Sequence, residues 1–208
     1  MNIFQFRNLS LCLALSSLLA PGAVAREGQN HPTGRDPLET VALDVAESER
    51  VRTDAEKGDA QAQVELGRNY QKGAHVPQDF SEAVKWYRKA ADQGLAEGQS
   101  CLGEMYRKGN GVAKDAAEAI KWYRLAADQG FHSAQACLGQ MYMRGEGVTK
   151  DDVEALKWFK IAGKESLDLG AYFDSKVILS RLNREQVAEA QKQADEFVSS
   201  KPKEKAGE

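Results

Sequence analysis

The sequence has few residues of the types that bind metals, form disulfides or break helices: three Cys, three His and five Pro in 208 residues. The histidines, His31, His75 and His132, show no metal-ligand spacing, and no Cys/His cluster exists. We therefore expect neither a metal nor another cofactor. Lys and Arg form no dense patch and the net charge is −3, which argues against nucleic acid as a partner.

Motifs of the common serine hydrolases and nucleotide-binding enzymes are also missing. There is no G-x-S-x-G elbow and no phosphate-binding glycine loop. A single S-x-x-K stretch, residues 200–203, contains a proline and has no accompanying S-D-N or K-T-G. The sequence therefore predicts a protein that is not an enzyme.

The N-terminus has the pattern of a secretory signal peptide. Arg7 is followed by an apolar run over residues 9–20, then by Pro21-Gly22 and Ala23-Val24-Ala25. The apolar run is shorter than the roughly 20 residues needed to span a bilayer. We expect residues 1–25 to be removed by cleavage after Ala25, which would leave a secreted chain without membrane insertion. Residues 26–35 are expected to be a disordered linker.

The middle of the chain repeats itself. Residues 55–90, 91–126 and 127–162 align without gaps as blocks of 36, and a fixed period of this size is typical of solenoids. Each block begins with an apolar stripe at helical spacing, Leu-Gly-x-x-Tyr, which predicts a first helix. Gly73, Gly109 and Gly145 are expected to end these helices.

A second helix is predicted in each block. It opens with Asp followed three residues later by Glu, the sequence of a capping box: Asp79 and Glu82, Asp115 and Glu118, Asp151 and Glu154. The buried face of this second helix is expected to consist of alanines and of an adjacent Trp-Tyr or Trp-Phe pair. The fold class is thus all-α, an α-α solenoid of helix-turn-helix repeats.

Both ends of the array are predicted to be caps, because terminal repeats would otherwise expose apolar faces. Residues 36–54 form a helical half-repeat that begins with Asp36-Pro37. Residues 163–198 form a degenerate repeat and a capping helix that opens at Asn183. Residues 199–208 are expected to be a disordered tail.

The repeated pattern A-x-x-x-L-G-x-x-Y, G-x-G-V-x-x-D and A-x-x-W-[YF]-x-x-A-A-x-x-G resembles the Sel-one-like repeat (SLR) family, a branch of the tetratricopeptide-like hairpins. The resemblance covers residues 55–162 and is weaker to about residue 198. It implies a right-handed superhelix whose concave face binds a protein or a peptide. His75 departs from the pattern, since it replaces a glycine that is expected to need a positive φ.

By the same resemblance, the concave face is lined by first-helix residues outside the packing stripe. These residues differ between blocks while the stripe does not, so packing alone does not determine them. A merely solvated surface is the alternative. The candidate partner-binding residues are Gln61, Val64, Arg68, Gln71, Lys72, Glu97, Ser100, Glu104, Arg107, Lys108, Ser133, Ala136, Gln140, Met143 and Arg144.

Two recurring sets of residues, the aromatic residues and the cysteines, are interpreted as structural. The tryptophans at 86, 122 and 158 and the tyrosines at 70, 106 and 142 recur every 36 residues, which favours a core role over a sugar or nucleobase platform. Cys101 and Cys137 occupy one repeat position, and equivalent atoms of stacked hairpins are expected about 10 Å apart, beyond the reach of a disulfide. Both thiols are expected to be reduced and mostly buried.

The sequence thus favours a secreted interaction module, an adaptor or scaffold that binds a protein or peptide partner. Short secreted members of the family are mainly bacterial, so the periplasm is the expected location. The alternative is a cell-envelope hydrolase acting on peptidoglycan or β-lactams, and a module that binds muropeptides is a third possibility.

Overall fold

A computed structural model describes residues 37–163 and 169–201 of the protein. Side chains are described for residues 45–163, 170 and 172–201. The predicted signal peptide, the predicted linker and residues 202–208 of the predicted tail lie outside the described residues. The chain divides into two compact units at residue 41. Of the first unit only residues 37–41 are described, and they are helical. The packing described below belongs to the second unit, residues 42–208.

The described residues form helices joined by short turns, and no strand occurs among them. The helices are α1 (Pro37–Glu56), α2 (Ala60–Lys72), α3 (Phe80–Asp92), α4 (Ala96–Lys108), α5 (Ala116–Asp128), α6 (His132–Arg144), α7 (Asp152–Gly163), α8 (Leu169–Leu179) and α9 (Arg184–Ser200). From α2 to α7 each helix packs against the next one in the chain. The all-α solenoid of helix-turn-helix repeats is confirmed.

Each first helix, α2, α4 and α6, ends at the expected glycine. Gly73, Gly109 and Gly145 have φ of 72°, 75° and 68°, the left-handed region that glycine enters at little cost. The tyrosine three residues before each glycine then accepts a hydrogen bond from the backbone of the next helix's cap residue. These bonds run from Asp79 to Tyr70, from Asp115 to Tyr106 and from Asp151 to Tyr142, at 2.9 to 3.0 Å.

That bond explains why the predicted capping boxes of the second helices form only in part. The side chain of Asp115 caps α5 by accepting from the backbone N–H of Glu118 at 2.9 Å, as predicted. The reciprocal hydrogen bond, in which the Glu118 carboxylate would accept from the Asp115 backbone N–H, is missing, because this N–H already donates to the Tyr106 carbonyl. Glu118 instead contacts Lys121 at 2.7 Å. Asn183 and Gln186, at the start of α9, form the complete reciprocal box.

The core between the two helices of a repeat depends on a glycine that lies against an aromatic ring. The pairs are Gly67 with Tyr87, Gly103 with Tyr123 and Gly139 with Phe159. A Cβ atom at Gly67 or Gly139 would lie 2.7 Å from its ring, and one at Gly103 would lie 3.1 Å away. The small residue therefore sets how closely the helices approach.

The aromatic residues interpreted as core are buried to different degrees. Trp158 and Tyr142 are buried, at 5% and 9% exposure. Tyr70, Tyr106, Trp86 and Trp122 are half-buried and pack with one side against the core clusters. The prediction that all six belong to the core is therefore correct for two of them and only partly correct for the other four.

The ends of the array depart from the regular hairpin. Val51 and Ala55 of α1 pack on Leu66 of α2, which covers the first repeat. At the other end, α9 packs directly against α7, with Ala190 fully buried. Phe197 contacts Trp158 edge to face at 5.2 Å. Helix α8 lies against α6 and α7 through the fully buried Ile178.

His75 takes the left-handed conformation of the glycines it replaces. Its φ is 62°, against 69° for Gly111 and 75° for Gly147. A Cβ at Gly111 would overlap the backbone of Phe80 in the preceding repeat, and one at Gly147 would lie 2.7 Å from Ala116. Among the described residues, the element before the repeat of His75 is helix α1 and not a hairpin. His75 lines a cleft of about 250 Å³ with Glu47, Ser48, Val51, Glu65 and Asn69, and this open space accommodates its side chain.

Candidate functional site

The candidate residues lie on the first helices, and most of them reach solvent. Exposed or half-buried side chains occur at twelve of the fifteen positions: Gln61, Arg68, Gln71, Lys72, Glu97, Glu104, Arg107, Lys108, Ser133, Gln140, Met143 and Arg144. We call this surface, formed by exposed residues of α2, α4, α6 and, 36 residues further on, α8, the first-helix face. Its residues differ from repeat to repeat although the helices below it are alike.

Three candidate residues are not part of this surface. Val64, Ser100 and Ala136 occupy one repeat position and are 0%, 9% and 7% exposed. Val64 belongs to the apolar core of the first two repeats. The prediction that these residues contact a partner is wrong, because the packed neighbouring helices cover them.

A polar cluster joins the first two repeats on the first-helix face. Glu97 accepts a hydrogen bond from the Gln61 amide at 2.9 Å and forms an ion pair with Arg68. Burial opposes ionisation of Glu97, but the hydrogen bonds from Gln61 and Arg68 outweigh it and lower the pKa of this carboxyl. Glu97 is therefore ionised at neutral pH, and its negative charge is held by two side chains of the preceding repeat.

The basic residues further along the face are neutralised to different extents. Lys108 forms an ion pair with Glu104 at 2.6 Å, one helical turn away. Arg107 lies 3.9 Å from Glu146. Arg144, exposed at the end of α6, has no acidic partner among the described residues. Lys72, at the end of α2, is also exposed without an acidic partner in the described part of the chain, so Lys72 and Arg144 carry the positive charge most available to a ligand.

Positions 71, 107 and 143 change together with the aromatic residue of the second helix. Tyr87 donates a hydrogen bond to the Gln71 amide oxygen at 2.5 Å. In the second repeat the Arg107 guanidinium lies beside the Tyr123 hydroxyl. In the third repeat Phe159 has no hydroxyl, and the residue at position 143 is methionine. Part of the variation at this position thus follows from packing rather than from recognition.

A buried row of glutamines was missed by the sequence interpretation. Gln63, Gln99 and Gln135 are 3%, 5% and 3% exposed. Each donates to a backbone carbonyl eight residues earlier, at 3.2 to 3.4 Å. Gln63 and Gln99 also accept, at 2.8 Å, from the glutamines at 93 and 129. The recurrence of glutamine every 36 residues was the signal that could have identified them.

The two cysteines of the repeats are not joined by a disulfide. Both are partly buried, with the smaller part of each residue exposed. Burial raises the pKa of the Cys101 thiol to about 11, so the reactive thiolate is scarce at neutral pH. Within the described ranges no group of three or more His, Cys, Asp or Glu side chains is placed to hold a metal ion.

The described part of the chain offers no support for the hydrolase alternative. Ser200, the serine of the S-x-x-K stretch, is the last residue of α9, and its hydroxyl donates to the Phe197 carbonyl at 2.8 Å. Lys203 lies outside the described residues. Among the helices that are described, none has both the length and the apolarity needed to cross a membrane.

Comparison with known proteins places these features in a family. The Sel1 repeat matches at residues 60–95, 96–131 and 132–166, so its period agrees with that of the sequence and its repeat begins at the first helix. None of the curated proteins compared with the chain matches it significantly.

Solved structures that are similar to the chain include the following two. One is c5321, a protective antigen of uropathogenic Escherichia coli with an SLR fold, at a TM-score of 0.57, 25% identity and 85% coverage of this chain. This chain spans 47% of that antigen, about half its length. The other is a Sel1 repeat protein from Oxalobacter formigenes, at a TM-score of 0.55 and 39% identity, with 62% of this chain and 96% of that chain covered. The three family matches cover residues 60–166, just over half of the 208 residues, and the chain therefore belongs to the Sel1 repeat family.

Proposed function

We propose that the protein is a secreted adaptor or scaffold that binds a protein or peptide partner on its first-helix face. Sel1 repeats generally mediate protein–protein interaction, and the proposal specifies the surface and the cellular location. The observation that carries it is the contrast between recurring packing residues and changing surface residues on the same helices.

The contacts between repeats support a preorganised surface. The cluster of Gln61, Arg68 and Glu97 and the 3.1 Å bond from Gln140 to Asp174 hold exposed side chains of successive first helices in fixed positions. Side chains that are already ordered lose less conformational entropy when a partner binds. An extended peptide or a helix lying across the first helices would contact several repeats at once.

Secretion is part of the proposal because of the N-terminal pattern of the sequence. Residues 1–25 combine a short apolar segment with an Ala-x-Ala site, and the periplasm of a bacterium is the proposed location. N-terminal sequencing of the chain recovered from the periplasmic fraction would begin at Arg26. A chain that begins at Met1 and stays with the cytoplasmic fraction would contradict secretion without affecting the binding surface.

The binding surface is tested by charge reversal on two different faces. The full chain serves as bait in an envelope extract, and the affinity of the captured protein is then measured by calorimetry. In the test variant Lys108→Glu is combined with Arg144→Glu on the first helices. In the matched control Lys85→Glu is combined with Lys121→Glu on the second helices, where both lysines form exposed pairs with a glutamate.

Both variants change the net charge by the same amount, and each places a glutamate beside another glutamate. We expect the first-helix variant to bind at least about tenfold more weakly, with little change for the control. Equal effects of the two variants, or none, would contradict the proposed surface. Circular dichroism of both variants checks that the helices remain folded.

A further inference from the structure

Helix α8 exposes more apolar surface than any other part of the second unit that the structure describes. Seven large hydrophobic side chains are exposed among the described residues, and four of them belong to this one helix. They are Tyr172, Phe173, Val177 and Leu179, at 54%, 64%, 45% and 41% exposure. Exposed aromatic rings this close together are uncommon on a protein without a binding role.

Helix α8 follows α6 in the row of first helices, 36 residues further along the chain. Tyr172, Phe173 and Leu179 stand 36 residues after Ala136, Cys137 and Met143 of α6. Ala136 is buried and the other two residues of α6 are half-buried, so α8 is exposed at positions that are more covered in α6. The two helices pack together and are joined by the Gln140–Asp174 hydrogen bond. Ile178, on the opposite side of α8, is fully buried in the core. The row of first helices thus ends in an exposed aromatic patch on α8.

The aromatic patch is bordered by positive charge. The Tyr172 and Phe173 rings contact each other edge to face at 5.8 Å, and the Lys176 ammonium lies 5.4 Å from the centre of the Tyr172 ring. Lys176 is exposed and has no acidic partner among the described residues. Asp174, the acidic residue of α8, is half-buried and bonded to Gln140. The charge next to the rings therefore complements a carboxylate.

The size of the patch favours a short segment of a partner over a second copy of the chain. Each aromatic side chain contributes about 150–250 Å² when fully buried, so these partly exposed residues offer on the order of 300–400 Å². A stable protein–protein interface needs roughly 800 Å² on each side. A patch of half that size matches one or two apolar side chains docked as an anchor.

We propose that α8 is an anchor site for a partner segment that carries an aromatic or large aliphatic side chain next to an acidic residue. The apolar side chain packs on Tyr172, Phe173 and Leu179, and the carboxylate pairs with Lys176. The rest of the segment extends over the polar part of the first-helix face. This inference rests on the proposed function and identifies the chemistry of the partner.

The test selects short random peptides displayed on phage against the immobilised full chain. Affinities of the enriched peptides are then measured for the unchanged protein, for Tyr172→Ala, for Phe173→Ala and for Lys176→Glu. Leu125→Ala is the matched control, because Leu125 is also an exposed large apolar residue, at 48%, but lies on the second helix α5. Since the substituted residues are exposed, the variants are expected to fold, and their melting temperatures check this.

The expected result is enrichment of peptides that contain an aromatic or aliphatic residue next to Asp or Glu. Phe173→Ala and Lys176→Glu should each weaken binding at least about tenfold, while Leu125→Ala leaves it unchanged. Replacing the acidic residue of the peptide should abolish the effect of Lys176→Glu.

Other outcomes would overturn the inference in distinguishable ways. Peptides that bind equally to all α8 variants but lose affinity with Lys108→Glu and Arg144→Glu would overturn the anchor site and leave the proposed function standing. A dimer in analytical ultracentrifugation that dissociates with Phe173→Ala would show that a second copy occupies the patch. If no peptide enriches, or if binding ignores both sets of variants, both proposals fail.

Discussion

Substitution of Gly111 by alanine is expected to destabilise the protein strongly, because this position carries two independent constraints. Its φ of 69° lies in the left-handed region, which an alanine enters at a cost of about 1–2 kcal/mol. Its Cβ would also overlap the Phe80 carbonyl and lie 2.7 Å from the backbone nitrogen of Ser81. These atoms are main chain at the start of α3, so no side-chain rotation can relieve the overlap.

The two costs can be separated because another glycine has only one of them. Gly130 has a φ of 86°, but a Cβ there would meet nothing within 4 Å. Gly130→Ala should therefore cost about 1–2 kcal/mol from backbone strain alone. Gly111→Ala adds about 1–3 kcal/mol of overpacking, which gives a total of about 2–5 kcal/mol. His75→Gly is at the equivalent position of the first repeat. It removes backbone strain from the folded state but increases the conformational entropy of the unfolded chain, so the free energy of unfolding should change by less than about 1 kcal/mol.

Thermal unfolding followed by circular dichroism measures all three variants. One kcal/mol corresponds to roughly 2–4 °C in a protein of this size, so Gly111→Ala should melt about 5–15 °C lower. Gly130→Ala should fall between Gly111→Ala and the unchanged protein. If Gly111→Ala and Gly130→Ala have the same melting temperature, the close approach of successive repeats at Gly111 is not a significant constraint and the reasoning is refuted.

Three further results are expected. Gln99→Met should lower the free energy of unfolding, measured in urea, by about 2 kcal/mol, because the Ala91 carbonyl and the Gln129 amide lose the Gln99 side chain as their buried partner. A decrease of less than about 0.5 kcal/mol would contradict this. Asp115→Ala should lower the free energy of unfolding by about 1 kcal/mol, because the side-chain cap of α5 is lost. A much smaller decrease would show that the cap is not needed for stability. Burial raises the pKa of the Cys101 thiol to about 11, so this thiol should react with a disulfide reagent about a hundredfold more slowly at pH 8 than a thiol of pKa 9.0. The rate is measured with the other cysteines replaced by alanine. A rate equal to that of an exposed thiol would contradict the burial of Cys101.

The same raised pKa makes stability depend on pH at the alkaline end. Between pH 9 and about 11 the unfolded chain releases the Cys101 proton while the folded chain keeps it. The folded state then binds more protons than the unfolded state, so stability decreases as the pH rises through this window. Cys101→Ala should reduce the decrease in urea midpoints measured from pH 8.5 to 10.5, and an unchanged pH dependence would contradict the prediction.

The fold could be predicted because each of its signals recurs every 36 residues. Gly73 and its equivalents end helices in the way that only glycine does easily, and Asp79 and its equivalents cap the next helix. The full capping boxes were not predicted correctly, since no sequence pattern indicates that the Tyr70 carbonyl takes the N–H of Asp79. Local motifs can be identified within one segment, whereas this bond joins the end of one helix to the start of another.

The candidate site could be predicted less completely. The spacing of residues assigns a position to a helix face, but it does not show which neighbour covers that face. Val64 was assigned to the surface and is fully buried, and the polar side chains of Gln63 and Gln99 were not expected in the interior. The patch on α8 was not predicted either, because residues 163–198 were interpreted only as a degenerate repeat and a capping helix, whereas Tyr172 is 54% exposed.

The most direct test of the central claim is amide hydrogen exchange of the full chain with and without the protein captured from the envelope extract. Binding on the first-helix face predicts slower exchange in α2, α4, α6 and α8 on addition of the partner, and little change at the ends of α3 and α5. Protection confined to the second helices, or spread equally over both sets, would contradict the claim that the first helices form the binding surface.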